Sequence, residues 1–208
     1  MVRNSNSIDG FFARQRYGRV LRLIREGQSG KSGLLDIGCG EDGGILPHAK
    51  EFSNRHGCDR LFPSTMTKEG VVYSPVDLAS QRLPYKDGQF DCVTCTAVIE
   101  HLDCESAGKV FSEAFRVLKP GSTLVMTTPA PHTKRLQELL AKARVISEAE
   151  IAEHKHLFSL PELEGMAKKA GFQQVKASRW QLGMNQLISA RKPPGPFGKK
   201  GEAPYRRL

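Results

Sequence analysis

The alternation of apolar and polar positions divides this chain into short strands and amphipathic helices. Between Phe11 and Glu26, Phe11, Phe12, Val20, Leu21, Leu23 and Ile24 interleave with Arg14, Arg16, Arg19, Arg22 and Arg25, which predicts a leading surface helix over 10–26 with a basic face. GLLDI, residues 33–37, reads as a strand, and GILPHAKEFSN, residues 44–54, as the helix after it, with Pro47 tolerable in its first turn. A weak strand is expected within HGCDRLF, residues 56–62, and PSTMTKEG leaves little room for a full helix before the strand VVYSPV. FDCVTCTAV, residues 90–98, is the next strand, and ESAGKVFSEAFRVL places Ala107, Val110, Phe111, Ala114, Phe115 and Leu118 at helical spacing before KPG ends it. STLVMTTP is a strand stopped by Pro129, and a helical region is expected from Lys134 to about Glu153. SLPELEGMAKKAGF reads as a helix closed by Gly171, followed by two late strands, QQVKASRW and MNQLISAR, joined through QLG.

Strands alternating with helices predict an α/β fold with a largely parallel sheet covered on both faces, its last strand pair forming an antiparallel edge. With 208 residues and 39% hydrophobic content the chain suits one domain with a substantial core. No run is long enough to span a bilayer, and MVRNSNSIDG lacks the apolar segment of a secretory signal, so a soluble cytoplasmic protein is expected. Cysteines at 39, 58, 92, 95 and 104 show no disulfide or zinc spacing, and the pair Cys92 and Cys95 lies in a strand pattern that makes them core thiols.

The net charge of +9 invites a nucleic-acid reading, but ARKPPGPFGKKGEAPYRRL at the C-terminus carries +5 of it. That segment, rich in proline and glycine, reads as a flexible basic tail over 192–208, able to touch phosphate surfaces without being required to. The domain proper is expected over 1–191.

LLDIGCGEDGG, residues 34–44, carries the first chemistry. Gly38, Gly40 and Gly43 satisfy G-x-G-x-x-G between a predicted strand and helix, where open α/β sheets bring backbone close to a ligand. Asp36, two residues before the first glycine, would repel a diphosphate at close range and attract a cationic group. S-adenosylmethionine, with an ammonium, a sulfonium and no phosphate, suits that charge better than NAD does. Asp59 stands 19 positions after Gly40, where a carboxylate at a second strand tip can accept from both ribose hydroxyls. Asp77, in SPVDL at the third strand tip, can accept from an adenine amino group, while the Leu78 backbone N–H donates to a ring nitrogen.

LLDIGCG, DLASQRLPYKDGQFDCVTCTAVIEHL, FRVLKPGSTLVMTTP and EHKHLFSLPELEGMAKKAGF together resemble the class I S-adenosylmethionine-dependent methyltransferases over roughly residues 30–190. The resemblance implies a Rossmann-like, seven-stranded, mostly parallel sheet with an antiparallel last strand. It also implies that Asp36, Gly38 and Gly40 line the methionine moiety, Asp59 the ribose, Asp77 and Leu78 the adenine, and Thr96 and Ala97 the far side of the cofactor, with Cys39 and Arg60 also among the cofactor-binding residues. Arg16, on the leading helix, is a candidate partner for the cofactor carboxylate. The chain departs from the family in having Arg55, His56, Gly57 and Cys58 where an apolar run into the second-strand acid is usual.

His101, in VIEHL, is the best candidate for a general base, with Glu100 beside it. E-x-x-E-H followed by a later histidine is similar to metal-assisted O-methyltransferases, but the first acid is Ala97 here, so the cluster with His154 is expected to bind no ion. His154 and His156 then belong to a cover over the acceptor site, expected across 129–158. The expected function is methyl transfer to a small-molecule acceptor. The alternatives are an RNA or protein acceptor held by the basic helix and tail, a cofactor-binding homologue without activity, and an NAD-dependent dehydrogenase, against which Asp36 argues.

Overall fold

The computed structural model describes residues 8–26, 32–133 and 154–195. The helical region expected over 134–153 and residues 196–208 of the tail expected over 192–208 lie outside them. Helix α1, Ile8–Arg25, leads the chain and buries Ala13, Val20, Leu21 and Ile24. Strand β1, Gly33–Ile37, has the bounds its letters predicted. β2 (Asn54–Asp59), β3 (Met66–Lys68), β4 (Val71–Pro75) and β5 (Phe90–Thr96) follow. Next come α2 (Cys104–Val117), β6 (Leu118–Pro129), α3 (Leu160–Lys169), β7 (Gln173–Trp180) and β8 (Asn185–Arg191). Asp103 caps α2 by accepting from the Ser106 N–H at 2.8 Å, and Gly171 at φ 101° turns the chain out of α3.

The sheet has eight strands in the order β3-β4-β2-β1-β5-β6-β8-β7. β4, β2, β1, β5 and β6 run parallel, and β8 lies antiparallel to both β6 and β7. Seven of these strands are the expected ones; the eighth, β3, pairs antiparallel with β4 at the far edge. Its hairpin turns at Glu69 and Gly70, both at positive φ, within the stretch that held too few residues for a helix.

The pleat sorts the core into two layers. Leu34, Cys92, Val125 and Leu187 face α1 through Val20, Leu21 and Ile24. Leu35, Ile37, Val93, Cys95, Leu124, Met126 and Ile188 face α2 and α3. Cys92 and Cys95 therefore point to opposite sides of β5 as free buried thiols, as their strand spacing predicted.

One expectation fails. The segment 44–54 forms a single 3-10 turn, Leu46–His48, and no α-helix. Gly43 and Gly44 stand at φ 80° and 56°, Pro47 withholds its N–H, and β2 already begins at Asn54, so too few residues remain to propagate a helix. Ile45, Leu46, Ala49 and Phe52 are nonetheless buried and complete the layer under α1. The short turn leaves a groove of about 450 Å³ beside the β3–β4 hairpin, floored by Phe62, Val71 and Tyr73. Among the described residues no helix is long and apolar enough to cross a membrane.

Candidate active site

Parallel pairing brings the tips of β1, β2, β4, β5 and β6 to one edge of the sheet, where the predicted site residues collect. The glycine turn is the first element. Gly38 donates to Cys58 O at 2.8 Å and holds φ 70°; a β-carbon there would stand 2.4 Å from Val98 Cγ2. At Gly43 a β-carbon would meet the Tyr73 hydroxyl at 2.4 Å, and at Gly44 the Asp36 carboxylate at 2.3 Å. Gly40, at φ 65°, is the least crowded of the four, a β-carbon there meeting only the Asp42 carboxylate, at 3.3 Å. Three of the four glycines are thus required by protein packing, and the ligand-facing part of the turn narrows to Gly40.

Gly40 donates its N–H to Asp59 Oδ2 at 2.9 Å, and Asp59 Oδ1 accepts from Leu61 N at 3.1 Å. The acid at the tip of β2 is where the spacing put it, despite the polar letters before it. Those letters have a structural cause: at Gly57 a β-carbon would clash with Cys39 Sγ at 2.6 Å and Leu46 Cδ1 at 2.8 Å, so the turn can lie on β2 only across a glycine. Arg55 donates to Leu46 O and Glu69 O, tying the same turn to the β3–β4 hairpin.

Two side chains expected to bind the cofactor point away from the crevice. Asp36 does not face the crevice; it is fully buried, with Oδ1 accepting from Thr94 Oγ1 at 2.7 Å and Oδ2 from Ile45 N at 3.2 Å. Strands on both sides and the returning turn enclose it, and burial pushes its carboxyl up to about 7, against the pull of those two hydrogen bonds. It braces the turn from inside. The Cys39 side chain likewise packs inward, and burial raises its thiol well above the ordinary range. The acids exposed at or near the turn are Glu41 and Asp42, with half-buried Asp59 behind them.

Asp77, exposed just past β4, accepts from Ala79 N at 3.0 Å and Ser80 Oγ at 2.7 Å, which holds its carboxyl below the usual range. Arg60 and Lys155 are near enough to add to that effect, and Leu78 packs half-buried against the core. At the tip of β5, Thr96 is buried and Ala97 takes φ 55°, an unusual conformation for a residue with a side chain, while its N–H donates to Thr127 O at 2.9 Å.

The chain then makes one 3-10 turn, Ile99–His101, that carries Glu100 and His101. Glu100 is buried and accepts from Thr128 Oγ1 at 3.0 Å; burial pushes its carboxyl up, opposed by the charges of His101 and Arg16. The rings of His101 and His154 lie 5.1 Å apart at 64°. Glu100, His101 and His154 present one ligand atom each, all within 4.8 Å of one another, so residues distant in sequence meet at one point. Arg16 sits half-buried on α1, close enough for its charge to act on Glu100.

The methyltransferase domain family matches this chain over residues 12–177. The chain belongs to the class I methyltransferases that use S-adenosylmethionine. It is 27% identical over 188 residues to a ubiquinone biosynthesis O-methyltransferase of Ralstonia nicotianae, covering 78% of this chain and 77% of that one. It is 32% identical over 108 residues to norajmaline N-methyltransferase of Rauvolfia serpentina, covering 47% of this chain and 36% of the relative. It also spans about a quarter of the biotin biosynthesis bifunctional protein BioHC of Teredinibacter turnerae. Among solved structures, it resembles a SAM-dependent methyltransferase of Archaeoglobus fulgidus at TM-score 0.62 and 18% identity, covering 89% of this chain and 100% of that one. A Haemonchus contortus phosphoethanolamine N-methyltransferase solved with S-adenosyl-L-methionine aligns at TM-score 0.61 and 19% identity, covering 92% of this chain and 58% of that one.

The residues at the strand tips suit that cofactor. Glu41, Asp42, Asp59 and Asp77 make this edge acidic, a charge compatible with a cationic methyl donor that carries no phosphate. Two buried residues near these strand tips escaped the sequence reading. Thr94 and Thr128 each serve a buried carboxylate. Their signal was a threonine inside an apolar strand run, facing an acid that needed a donor.

Proposed function

We propose that this methyltransferase moves a methyl group to a nucleophilic atom of a small organic acceptor, with His101 taking the acceptor's proton. The observation that carries the reading is the convergence of Glu100, His101 and His154 beside the strained Ala97 at the tip of β5. When bound, S-adenosylmethionine supplies an electrophilic methyl carbon on a sulfonium, a leaving group that needs no acid assistance. The work left to the chain is alignment, exclusion of water and proton removal. We assign Gly40, with Gly38, to the backbone that approaches the donor, Asp59 and Arg60 to its ribose, Asp77 and Leu78 to its adenine, and Thr96 and Ala97 to its far side. Glu100, beside His101, is suited to stabilising the imidazolium that proton removal creates.

A polyanionic acceptor is disfavoured because four of the five arginines of the basic face of α1 are engaged within the chain. Arg25 binds Glu51 at 2.6 Å, Arg19 lies 5.6 Å over the Trp180 ring, and Arg14 and Arg16 are also engaged. The names of the O- and N-methyltransferases above support a small acceptor. The five free cysteines suit a reducing compartment, which supports the cytoplasm. Incubation with labelled S-adenosylmethionine and a panel of phenols, amines and thiols tests the proposal. Turnover of one class with little change between about 50 and 200 mM salt supports it, and turnover only on RNA, with a steep loss over that range, overturns it.

A second reading is favoured by the spacing of the same three ligands. One carboxylate and two imidazoles whose donor atoms lie within 4.8 Å form a donor set suited to a divalent ion with open positions for water and an acceptor oxygen, whose proton it would acidify. Titration with Mn2+ by calorimetry separates the readings. Binding that His154→Ala abolishes, with turnover lost to a chelator, supports the ion; turnover indifferent to chelator supports His101 alone.

A further inference from the structure

The alternation along β8 puts Leu187 against α1 and Ile188 against α2 and α3, and Gln186 is the polar exception in the buried stretch between them and Asn185. It is 0% exposed. Its Nε2 donates to Pro129 O at 3.1 Å and to Phe158 O at 2.7 Å. Two carbonyl acceptors require the amide nitrogen on that side, so the orientation of the carboxamide follows from chemistry. The Oε1 on the other side is buried without a hydrogen-bond partner, a cost that only the two bonds made by the nitrogen offset.

We propose that Gln186 is a positioning residue that clasps the end of β6 to the returning limb 154–158 and thereby holds His154 against Glu100 and His101. The connections close on themselves. Gln186 pairs across the strands with Thr128, whose hydroxyl binds the Glu100 carboxylate at 3.0 Å. The main-chain carbonyl of Glu100 accepts from Lys155 N at 2.8 Å and His156 N at 3.2 Å. Phe158, two residues further on, is fully buried and fastened by Gln186. His154 is thus fixed by bonds one, two and four residues along the chain, all of which lead back to a single cross-strand pair. A buried amide that joins two carbonyls across 57 and 28 residues of sequence ties the paired end of β6 to Phe158, which lies in no strand or helix. The consequence for turnover rests on the function proposed above; the clasp itself is defined without an acceptor.

The test uses the uniformly nitrogen-15-labelled full chain and compares wild type, Gln186→Met, which keeps the shape and removes the donors, and Gln186→Asn, which keeps the amide one methylene short. In wild type, His154→Ala is expected to move the His101 ring resonances, because the two rings touch. In the Gln186→Met background that response is expected to fall by more than about half, and the amides of Lys155 and His156 to exchange at least about tenfold faster, with exchange in β1 and β5 unchanged. S-adenosylhomocysteine affinity is expected to stay within about twofold, since Gly40, Asp59 and Asp77 lie at other strand tips. Gln186→Asn should give an intermediate result, and it carries the test if the methionine variant does not fold. An unaltered histidine response with unaltered exchange at 155 and 156 overturns the proposal, as does loosening spread evenly over the whole sheet. If S-adenosylhomocysteine fails to bind even wild type, the functional reading falls while the histidine response still decides the clasp.

Discussion

Gly40 and Asp59 are joined by a 2.9 Å hydrogen bond from the glycine N–H to the aspartate Oδ2, which locks the open part of the glycine turn to the tip of the second strand. The other oxygen of Asp59 takes Leu61 N, so the carboxylate is oriented from both sides before any ligand arrives. Asp59→Ala should remove a ribose acceptor and free the turn together. We expect S-adenosylhomocysteine to bind at least about tenfold more weakly, roughly 1.4 kcal/mol, measured by calorimetry. Unchanged affinity would remove Asp59 from the site.

Asp36 gives a pH prediction with a definite sign. Its carboxyl titrates at about 7 in the fold and near 3.9 in an unfolded chain, so the native state holds the proton more tightly. Its contribution to stability is complete below about pH 3.9 and is lost as pH rises toward 7, on the order of 4 kcal/mol at the limit. Asp36→Asn accepts from Ile45 N and donates to Thr94, whose own hydroxyl has Leu35 O within 3.3 Å. The stability of Asp36→Asn relative to wild type should therefore grow between pH 4 and 7 and level off above it, read from urea unfolding at each pH. A constant difference would show that Asp36 is not the buried acid of the turn.

Two glycines separate fold from ligand. Gly57→Ala places a methyl 2.6 Å from Cys39 Sγ and 2.8 Å from Leu46 Cδ1, an overpacking expected to cost about 1–3 kcal/mol in unfolding. Gly40→Ala meets nothing closer than 3.3 Å but must hold φ 65°, and its methyl enters the space we assign to the cofactor. Its loss should appear mainly in S-adenosylhomocysteine affinity, at least about tenfold, beyond a strain near 1 kcal/mol. Equal effects of the two variants on binding would contradict the division.

The fold was legible because strand periodicity and helix caps are local. GLLDI, QQVKASRW and the Gly171 stop translate directly into β1, β7 and the end of α3. The segment after the glycine turn was misread because its apolar letters, Ile45, Leu46, Ala49 and Phe52, are spaced for burial against α1, a demand that an irregular chain meets as well as a helix does. Asp59 stands at the end of β2, where the spacing put a strand tip, whereas the inward facing of Asp36 was not legible, since it is enclosed by Thr94 from β5 and Ile45 from the turn, contacts that no spacing rule contains. The gathering of His154 with Glu100 and His101 was named from the letters as a motif; what fixes it, Gln186 and Thr128, belongs to tertiary structure alone.

The histidine pair gives the most direct test of the chemistry. If His101 removes the acceptor proton while His154 and Glu100 orient and stabilise it, His101→Ala should lower kcat by at least about a hundredfold, within the usual range for a lost general base. S-adenosylhomocysteine affinity should stay within about twofold, because none of the three side chains belongs to the turn that we assign to the donor. His154→Ala should be less severe, and the double variant no worse than His101→Ala alone, since residues acting as one unit are not additive. These comparisons are made in single-turnover experiments with whichever acceptor the panel identifies. Additive losses would mean that the rings, 5.1 Å apart, serve separate steps, and a full rate in His101→Ala would exclude that histidine as the base.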